Sequence, residues 1–251
     1  MVDFHTHILP HIDDGAKDTE MAKAMLEKER VQGVTDILLT PHYYGRKHSP
    51  SYFIEKRNAA WAHLKPNVPD GLNIHLAAEV HFTGVNVPEY DQLCKLAIAN
   101  TKYILIEFPF TTKWTGALLD KLSDFVYETG YTPIIAHIER YREVLKRPSY
   151  VTELIQMGCL LQVNAMAFTA KQEKGFAFAL LKRGWVHCIG TDTHDMGLRK
   201  PNLQDAKAAL EEAGFAENWG SIQSTMGRIL RGEEVKATPA VPIKKFFSKY
   251  F

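Results

Sequence analysis

Short runs of apolar, β-favouring residues alternate with segments of helical spacing along almost the whole chain. The runs cover residues 2–5, 35–40, 74–80, 103–108, 132–137, 159–163 and 185–190. Between them apolar residues recur at helical spacing, as in Met21, Met25 and Val31 or Leu118, Leu122 and Phe125. Gly33, Gly130, Gly158 and Gly184 each stand just before a strand run, where a helix stop is expected. Seven strands separated by helices predict an α/β protein whose parallel sheet is covered on both faces, either doubly wound or closed. No internal repeat, low-complexity tract or linker interrupts the pattern, so residues 1–251 are expected to form one domain. Loops are expected at 43–51, at 66–72 and after His194. The C-terminal tail mixes Lys244, Lys245 and Lys249 with Phe246, Phe247, Tyr250 and Phe251. It is expected to dock on the barrel, with at most a peripheral membrane contact as the alternative.

Composition narrows the function classes. Thirty Lys and Arg against 29 Asp and Glu leave a net charge of +1, which argues against nucleic acid as the main partner. No apolar stretch is long enough for a membrane span. The N-terminal MVDFHTHILP lacks a basic segment followed by an apolar one, so a cytoplasmic location is expected. Cys94, Cys159 and Cys188 are far apart and read as buried thiols, not as a disulfide framework or a CxxC zinc site. None has an arginine six positions later, so a cysteine nucleophile on a phosphate loop is absent.

The chemistry is carried by where metal-ligating residues fall. His5 and His7 end the first run, His42 follows the second and Glu79 ends the third. Glu107 ends the fourth, His137 the fifth, and Asp192 with His194 follows the seventh. In parallel α/β architectures those strand ends share one face, where active sites gather. Asp14, in the loop after the first run, is a ninth candidate, with its neighbour Asp13 an open alternative. Residues two apart on a strand point the same way, so His5 with His7 and Asp192 with His194 each aim a pair of ligands inward. Imidazole and carboxylate donors without thiolates suit Mn, Fe or Zn. Nine donors exceed one ion's needs, which implies two or three divalent metals sharing carboxylates. Of the other histidines, His63 lies on a helix, His75 at a strand entry, His187 on the opposite face, and His11 and His48 in loops. His81 shares the parity of Glu79 and remains a rival ligand.

HTHILPHIDDG at the start, TPH at 40–42, AAEVHF around Glu79, LIEFP, IIAHIERY and GTDTH together resemble the PHP (polymerase and histidinol phosphatase) superfamily. Within it the chain resembles the bacterial CpsB/CapC/YwqE-type tyrosine phosphatases of capsule and exopolysaccharide operons, over essentially its whole length. The resemblance implies a distorted seven-stranded, TIM-barrel-like (β/α) barrel and a metal cluster, often of manganese. It also implies a phosphotyrosyl substrate on the tyrosine-rich tail of a tyrosine autokinase. By position, His5, His7, Glu79 and Asp192 would hold a first metal, and Asp14, His42 and His194 a second. Glu107 and His137, with Glu79 bridging, would hold a third. The choice of Asp14 over Asp13 rests on the family pattern alone. Glu27 and Arg30 form an ExxR that similar proteins link to ring-shaped homo-oligomers; an ordinary helical ion pair accounts for it equally well.

The expected reaction is phosphomonoester hydrolysis by metal-activated water, with Arg140 and Arg199 close enough to the mouth to bind phosphate oxygens as planar forks. A phenolate leaving group has a pKa near 10, so no general acid is assigned. The 43–51 loop is placed to frame a phosphotyrosyl ring with Tyr43 or Tyr44 and to attract an acidic or phosphorylated peptide with Arg46 and Lys47. The alternatives are a small-molecule phosphatase, such as one for histidinol phosphate, a nuclease, and a non-catalytic metal-binding barrel. Near-neutral charge weighs against the nuclease, and a complete ligand set against the scaffold.

Overall fold

The computed structural model describes residues 1–83, 90–239, 243, 245–246 and 249–250. Each apolar run becomes a strand or pair of strands, and the helices between them carry the chain back to the start of the next. In order, the elements are β1 (Val2–Thr6), α1 (Thr19–Val31), β2 (Asp36–Leu39), β3 (His42–Tyr43), α2 (Pro50–Leu64), β4 (Asn73–Leu76) and β5 (Glu79–His81). Then come α3 (Tyr90–Leu96), β6 (Tyr103–Glu107), α4 (Gly116–Thr129), β7 (Thr132–Ile135), α5 (Arg142–Lys146), α6 (Ser149–Gln156) and β8 (Leu160–Asn164). The remainder is α7 (Lys174–Leu181), β9 (Cys188–Gly190), α8 (Leu203–Glu212), α9 (Ala216–Leu230), β10 (Lys245–Phe246) and β11 (Lys249–Tyr250).

Two predicted strands are broken. The 35–40 run ends at β2, and the chain resumes as β3 beyond Thr40 and Pro41; the 74–80 run divides at Ala77 and Ala78 into β4 and β5. Hydrogen bonds bridge the breaks, with Ala77 N–H donating to Leu39 O at 3.0 Å and Glu79 N–H to Pro41 O at 3.1 Å. The breaks divide the parallel strands into a sheet ordered β1-β2-β4 and one ordered β3-β5-β6-β7-β8-β9. Past β9 the chain meets β1 again: Asp192 N–H donates to His5 O at 2.7 Å and His7 N–H to Thr193 O at 2.9 Å. The result is a mixed α/β fold in which the parallel sheet curls and its strand carboxyl ends gather at one mouth.

Local chemistry sets the helix limits. Asp18 caps α1 by accepting from Met21 N–H, Thr115 caps α4 through Leu118 N–H, and Gly130 ends α4 in the left-handed conformation at φ +64°. The predicted stripe Leu118, Leu122 and Phe125 is buried, as is Met25, whereas Val31 at the end of α1 turns outward and is 65% exposed. Cys159 and Cys188 are buried, but Cys94 is exposed on the short α3, a correction to the reading of all three as buried. In the tail, the Tyr250 ring lies 5.0 Å from that of Phe176 on α7, and Ile243 is buried. Lys244, Phe247 and Phe251 lie outside the described residues. Among the described residues no helix is long and apolar enough to cross a membrane.

Beneath the mouth, Asp3 ties β1 to the chain leaving β9. Its carboxylate accepts from Thr191 N–H at 2.9 Å, Thr191 O–H at 2.6 Å and His5 N–H at 3.3 Å. Glu29 of α1 is fully buried beside it, with neither carboxyl oxygen hydrogen-bonded. Burial, then the neighbouring Asp3, push the Glu29 pKa well above the ordinary 4.5. The folded chain therefore binds a proton here that the unfolded chain releases. That stability is full below 4.5 and is lost as pH rises through the raised folded value. Glu29→Gln, permanently neutral, is expected to show a smaller fall in melting temperature from mildly acidic to mildly alkaline pH. Melting curves across that range check this; a fall as steep as the parent's would contradict it.

Candidate metal centre

The curl brings the nine metal-ligand candidates to one end. His5 and His7 come from β1 and the residue after its end, His42 from β3, Glu79 from β5 and Glu107 from the last position of β6. His137 follows β7, and Asp192 and His194 follow β9. His137 at φ +32° and Asp192 at φ +53° occupy the left-handed region, which non-glycine residues enter at a cost and which clusters at functional sites. Asp14 reaches in from the exposed loop after β1.

Three groups of donor atoms lie within 4.8 Å of one another: His5, His7 and Asp192; His7, Asp14, His42 and His194; and His42, Glu79 and Glu107. Glu79 Oε2 stands 3.3 Å from both His5 Nε2 and His7 Nε2 and 2.9 Å from His42 Nδ1. His137 Nε2 is 3.0 Å from Glu79 Oε1 and 3.6 Å from Glu107 Oε1. Asp14 Oδ1 is 3.5 Å from Nε2 of both His42 and His194. Ligand bonds of about 2.0–2.2 Å place neighbouring donor atoms roughly 3.0–3.5 Å apart around one ion.

The tautomers decide how well a cation fits. His5 Nδ1–H donates to Gln162 Oε1 at 3.2 Å, His7 Nδ1–H to Asp13 Oδ2 at 2.8 Å, and His194 Nδ1–H to Asp192 O at 2.9 Å. Each acceptor fixes the proton on Nδ1 and leaves an Nε2 lone pair aimed into the mouth. His5 Nε2 and His7 Nε2 then face each other at 3.0 Å, two lone pairs in repulsion unless a cation or proton lies between them. Glu79 Oε2, His42 Nδ1 and His194 Nε2 are buried without a hydrogen-bond partner. Nitrogen and carboxylate donors in this state match a divalent cation of the Mn, Fe or Zn kind.

Charge follows the same logic. With protons in place of a cation, burial would raise Glu79 and Asp192, but the protonated imidazoles, led by His5, hold both well below the usual carboxylate range. Glu107 is pushed up to about 7 by burial and then by the adjacent Glu79. Asp14 is lowered, chiefly by the adjacent His194.

The two aspartates after β1 have separate jobs. Asp13 accepts from His7, from His42 N–H at 3.0 Å and from Gly15 N–H at 2.9 Å, so its lone pairs orient other residues. Asp14 is the one whose oxygen stands among imidazole nitrogens. His81 joins no donor group; it is half-buried, edge-on to Tyr44 at 5.0 Å. His187 faces elsewhere and accepts from Leu161 N–H, and His75 pairs with Asp36.

Arg140 and Arg199 reach the mouth by converging on Asp192. Arg140 Nη1 donates to Oδ2 at 3.0 Å and Arg199 Nη2 lies 2.7 Å from Oδ1. Both remain about one third exposed, and the Arg140 guanidinium stacks 4.5 Å above the half-exposed Phe110 ring. Sequence reasoning missed the amides of β8. Gln162 Oε1 also accepts from His137 N–H at 2.6 Å, and its Nε2 donates to Asn164 Oδ1; Asn164 Nδ2 donates to Asp192 Oδ2 at 2.9 Å. The available signal was two polar residues, two apart, ending an otherwise apolar strand at the same mouth.

The family model for capsular polysaccharide synthesis proteins CpsB/CapC matches residues 1–222. The chain belongs to the CpsB/CapC family. Tyrosine-protein phosphatase YwqE of Bacillus subtilis is 30% identical over 98% of this chain and 97% of its own. Tyrosine-protein phosphatase CpsB of Streptococcus pneumoniae is 31% identical over 82% of this chain and 88% of its own. A crystal structure from work on YwqE and CpsB, described there as unique metal-dependent tyrosine phosphatases, superposes with a TM-score of 0.83 at 28% identity. It covers 98% of this chain and 100% of its own. The ExxR of this CpsB/CapC chain, Glu27 and Arg30, is a two-bond ion pair within α1, at 2.8 and 2.6 Å and half exposed.

Proposed function

We propose that the chain is a metal-dependent protein-tyrosine phosphatase, with the phosphotyrosyl tail of a tyrosine autokinase in capsule or exopolysaccharide synthesis as its substrate. The observation that carries this reading is the set of paired Nε2 lone pairs and buried carboxylates, in a family whose relatives are named tyrosine-protein phosphatases. His5, His7, Glu79 and Asp192 would hold one metal, Asp14, His42 and His194 a second, and Glu107 and His137 with Glu79 a third. Manganese is the favoured ion. When bound, such metals lower the pKa of water toward about 7 and neutralise phosphoryl charge.

The chain's own residues do the rest. Arg140 and Arg199 offer donors at the rim of the centre for the equatorial phosphate oxygens, while their contact with Asp192 keeps both forks aimed inward. Phe110, beneath Arg140, presents an apolar face for the phenyl ring. Tyr44, whose ring lies 5.3 Å from that of His42, presents another. The phenolate departs without a dedicated acid, since its pKa is near 10. We take β2 with β3, and β4 with β5, as single kinked strands, which makes the curled sheet a closed seven-stranded barrel in one domain. We place the protein in the cytoplasm.

Selectivity tests the reading. Phosphate release from a phosphotyrosyl peptide is expected to exceed that from a phosphoserine peptide and from histidinol phosphate. Preference for histidinol phosphate would keep the centre and move the protein into small-molecule metabolism.

A further inference from the structure

Next to the metal centre a cleft of about 390 Å³ opens between the 43–51 loop and α2. It is lined by Lys47, Lys56, His48, Tyr44, Tyr52 and Phe53, and it shares Asp14 and His42 with the centre as its inner wall. Some surface cations sit against carboxylates, as Lys23 does with Glu20 and Lys146 with Glu143. Lys47 and Lys56 have no ion-pair partner among the described residues. Lys47 Nζ lies 4.7 Å above the Tyr44 ring and Lys56 Nζ 5.4 Å from that of Tyr52, which itself packs against His48 at 4.9 Å. The cleft therefore combines aromatic walls with two uncompensated ammonium groups. The Asp13 and Asp14 carboxylates at its inner end are turned to His7, His42 and His194, so an anion is favoured only at the lysine end.

We propose that this cleft is a second subsite, which takes another phosphotyrosine of the same substrate chain while the first occupies the metal centre. The inference rests on the phosphatase reading above. The aromatic lining suits a phenyl ring, and a phosphate carrying about −1.5 to −2 charges is drawn to the lysine end more strongly than a single carboxylate is. In an extended peptide, residues two apart point the same way and stand roughly 6.6–7 Å from each other. Because the cleft shares the Asp14 and His42 wall with the centre, a Tyr-X-Tyr segment would present one side chain to the centre and the next to the cleft. Lys47 and Lys56 are specificity-determining residues in this account, with no part in bond breaking.

The test compares kcat/KM for Tyr-X-Tyr peptides bearing one or two phosphates, with p-nitrophenyl phosphate as a substrate too small to reach the cleft. The doubly phosphorylated peptide is expected to be favoured about tenfold, mainly through KM, as two charge-assisted contacts imply. Lys56→Ala should cut that ratio to within about twofold, and Lys56→Arg should keep most of it. Equal kcat/KM for the two peptides would overturn the proposal, as would a ratio that survives both Lys47→Ala and Lys56→Ala. Glutamate in place of the second phosphotyrosine giving the same gain would overturn it too, since the cleft would then read charge alone. Should no phosphotyrosyl substrate be cleaved, the phosphatase reading fails on its own. Anisotropy of the labelled doubly phosphorylated peptide then still decides the subsite: tighter binding than the singly phosphorylated form, lost in Lys56→Ala, supports it, and equal binding overturns it.

Discussion

Asp192→Ala is expected to lower kcat/KM for a phosphotyrosyl peptide by at least about 10³-fold, because loss of one electrostatic stabiliser alone costs 10²–10³. Asp192 ties the histidines of the centre to the two arginines at its rim. Its oxygens stand 3.5 Å from His7 Nε2, 3.7 Å from His5 Nε2 and 2.7 Å from Arg199, and they accept from Arg140 and Asn164. Truncation removes a proposed ligand and also releases two guanidinium groups from the carboxylate they converge on. Asp192→Asn keeps the shape and the Arg contacts while removing the charge, so it separates the two effects. A fall in both variants with unchanged circular dichroism fits the account. Full turnover in Asp192→Ala would remove Asp192 from the mechanism.

Gly190→Ala is expected to damage folding and activity together. Gly190 ends β9 directly against β1, and a Cβ there would collide with the Cβ of His5 and come within 2.7 Å of its backbone nitrogen. Neither partner is the flexible end of a side chain, so β1 itself must shift. Overpacking of this kind costs about 1–3 kcal/mol. A displacement of His5 by about 1 Å costs on the order of 10²-fold in rate. Thermal melts and phosphotyrosine turnover measured side by side check both effects. A variant that melted and turned over like the parent would mean that the β1–β9 contact is looser than the structure has it.

The mouth was legible in the sequence because strand parity is a strong signal. His5 with His7 and Asp192 with His194 need only an extended backbone to point together, and the alternation of runs and helices puts all strand ends on one side. What the sequence hid has local causes. Pro41 and the Ala77–Ala78 step break two strands, and apolar periodicity carries no information about such kinks. Gln162 and Asn164 escaped because amides are poor ligands, although they fix His5 and Asp192. Asp13 and Asp14 lie in a loop with no periodicity, so only coordinates separate the residue that orients His7 from the one among the imidazole nitrogens. The two lysines that line the cleft come from a loop and a helix, Lys47 and Lys56, which no spacing rule brings together.

The most direct test of the metal centre is phosphate release from a phosphotyrosyl peptide by protein stripped with chelator, then titrated with Mn²⁺ while bound metal is counted. No turnover is expected in the stripped protein, with recovery that tracks the filling of more than one site per chain. Full activity in protein shown to hold no metal would contradict it.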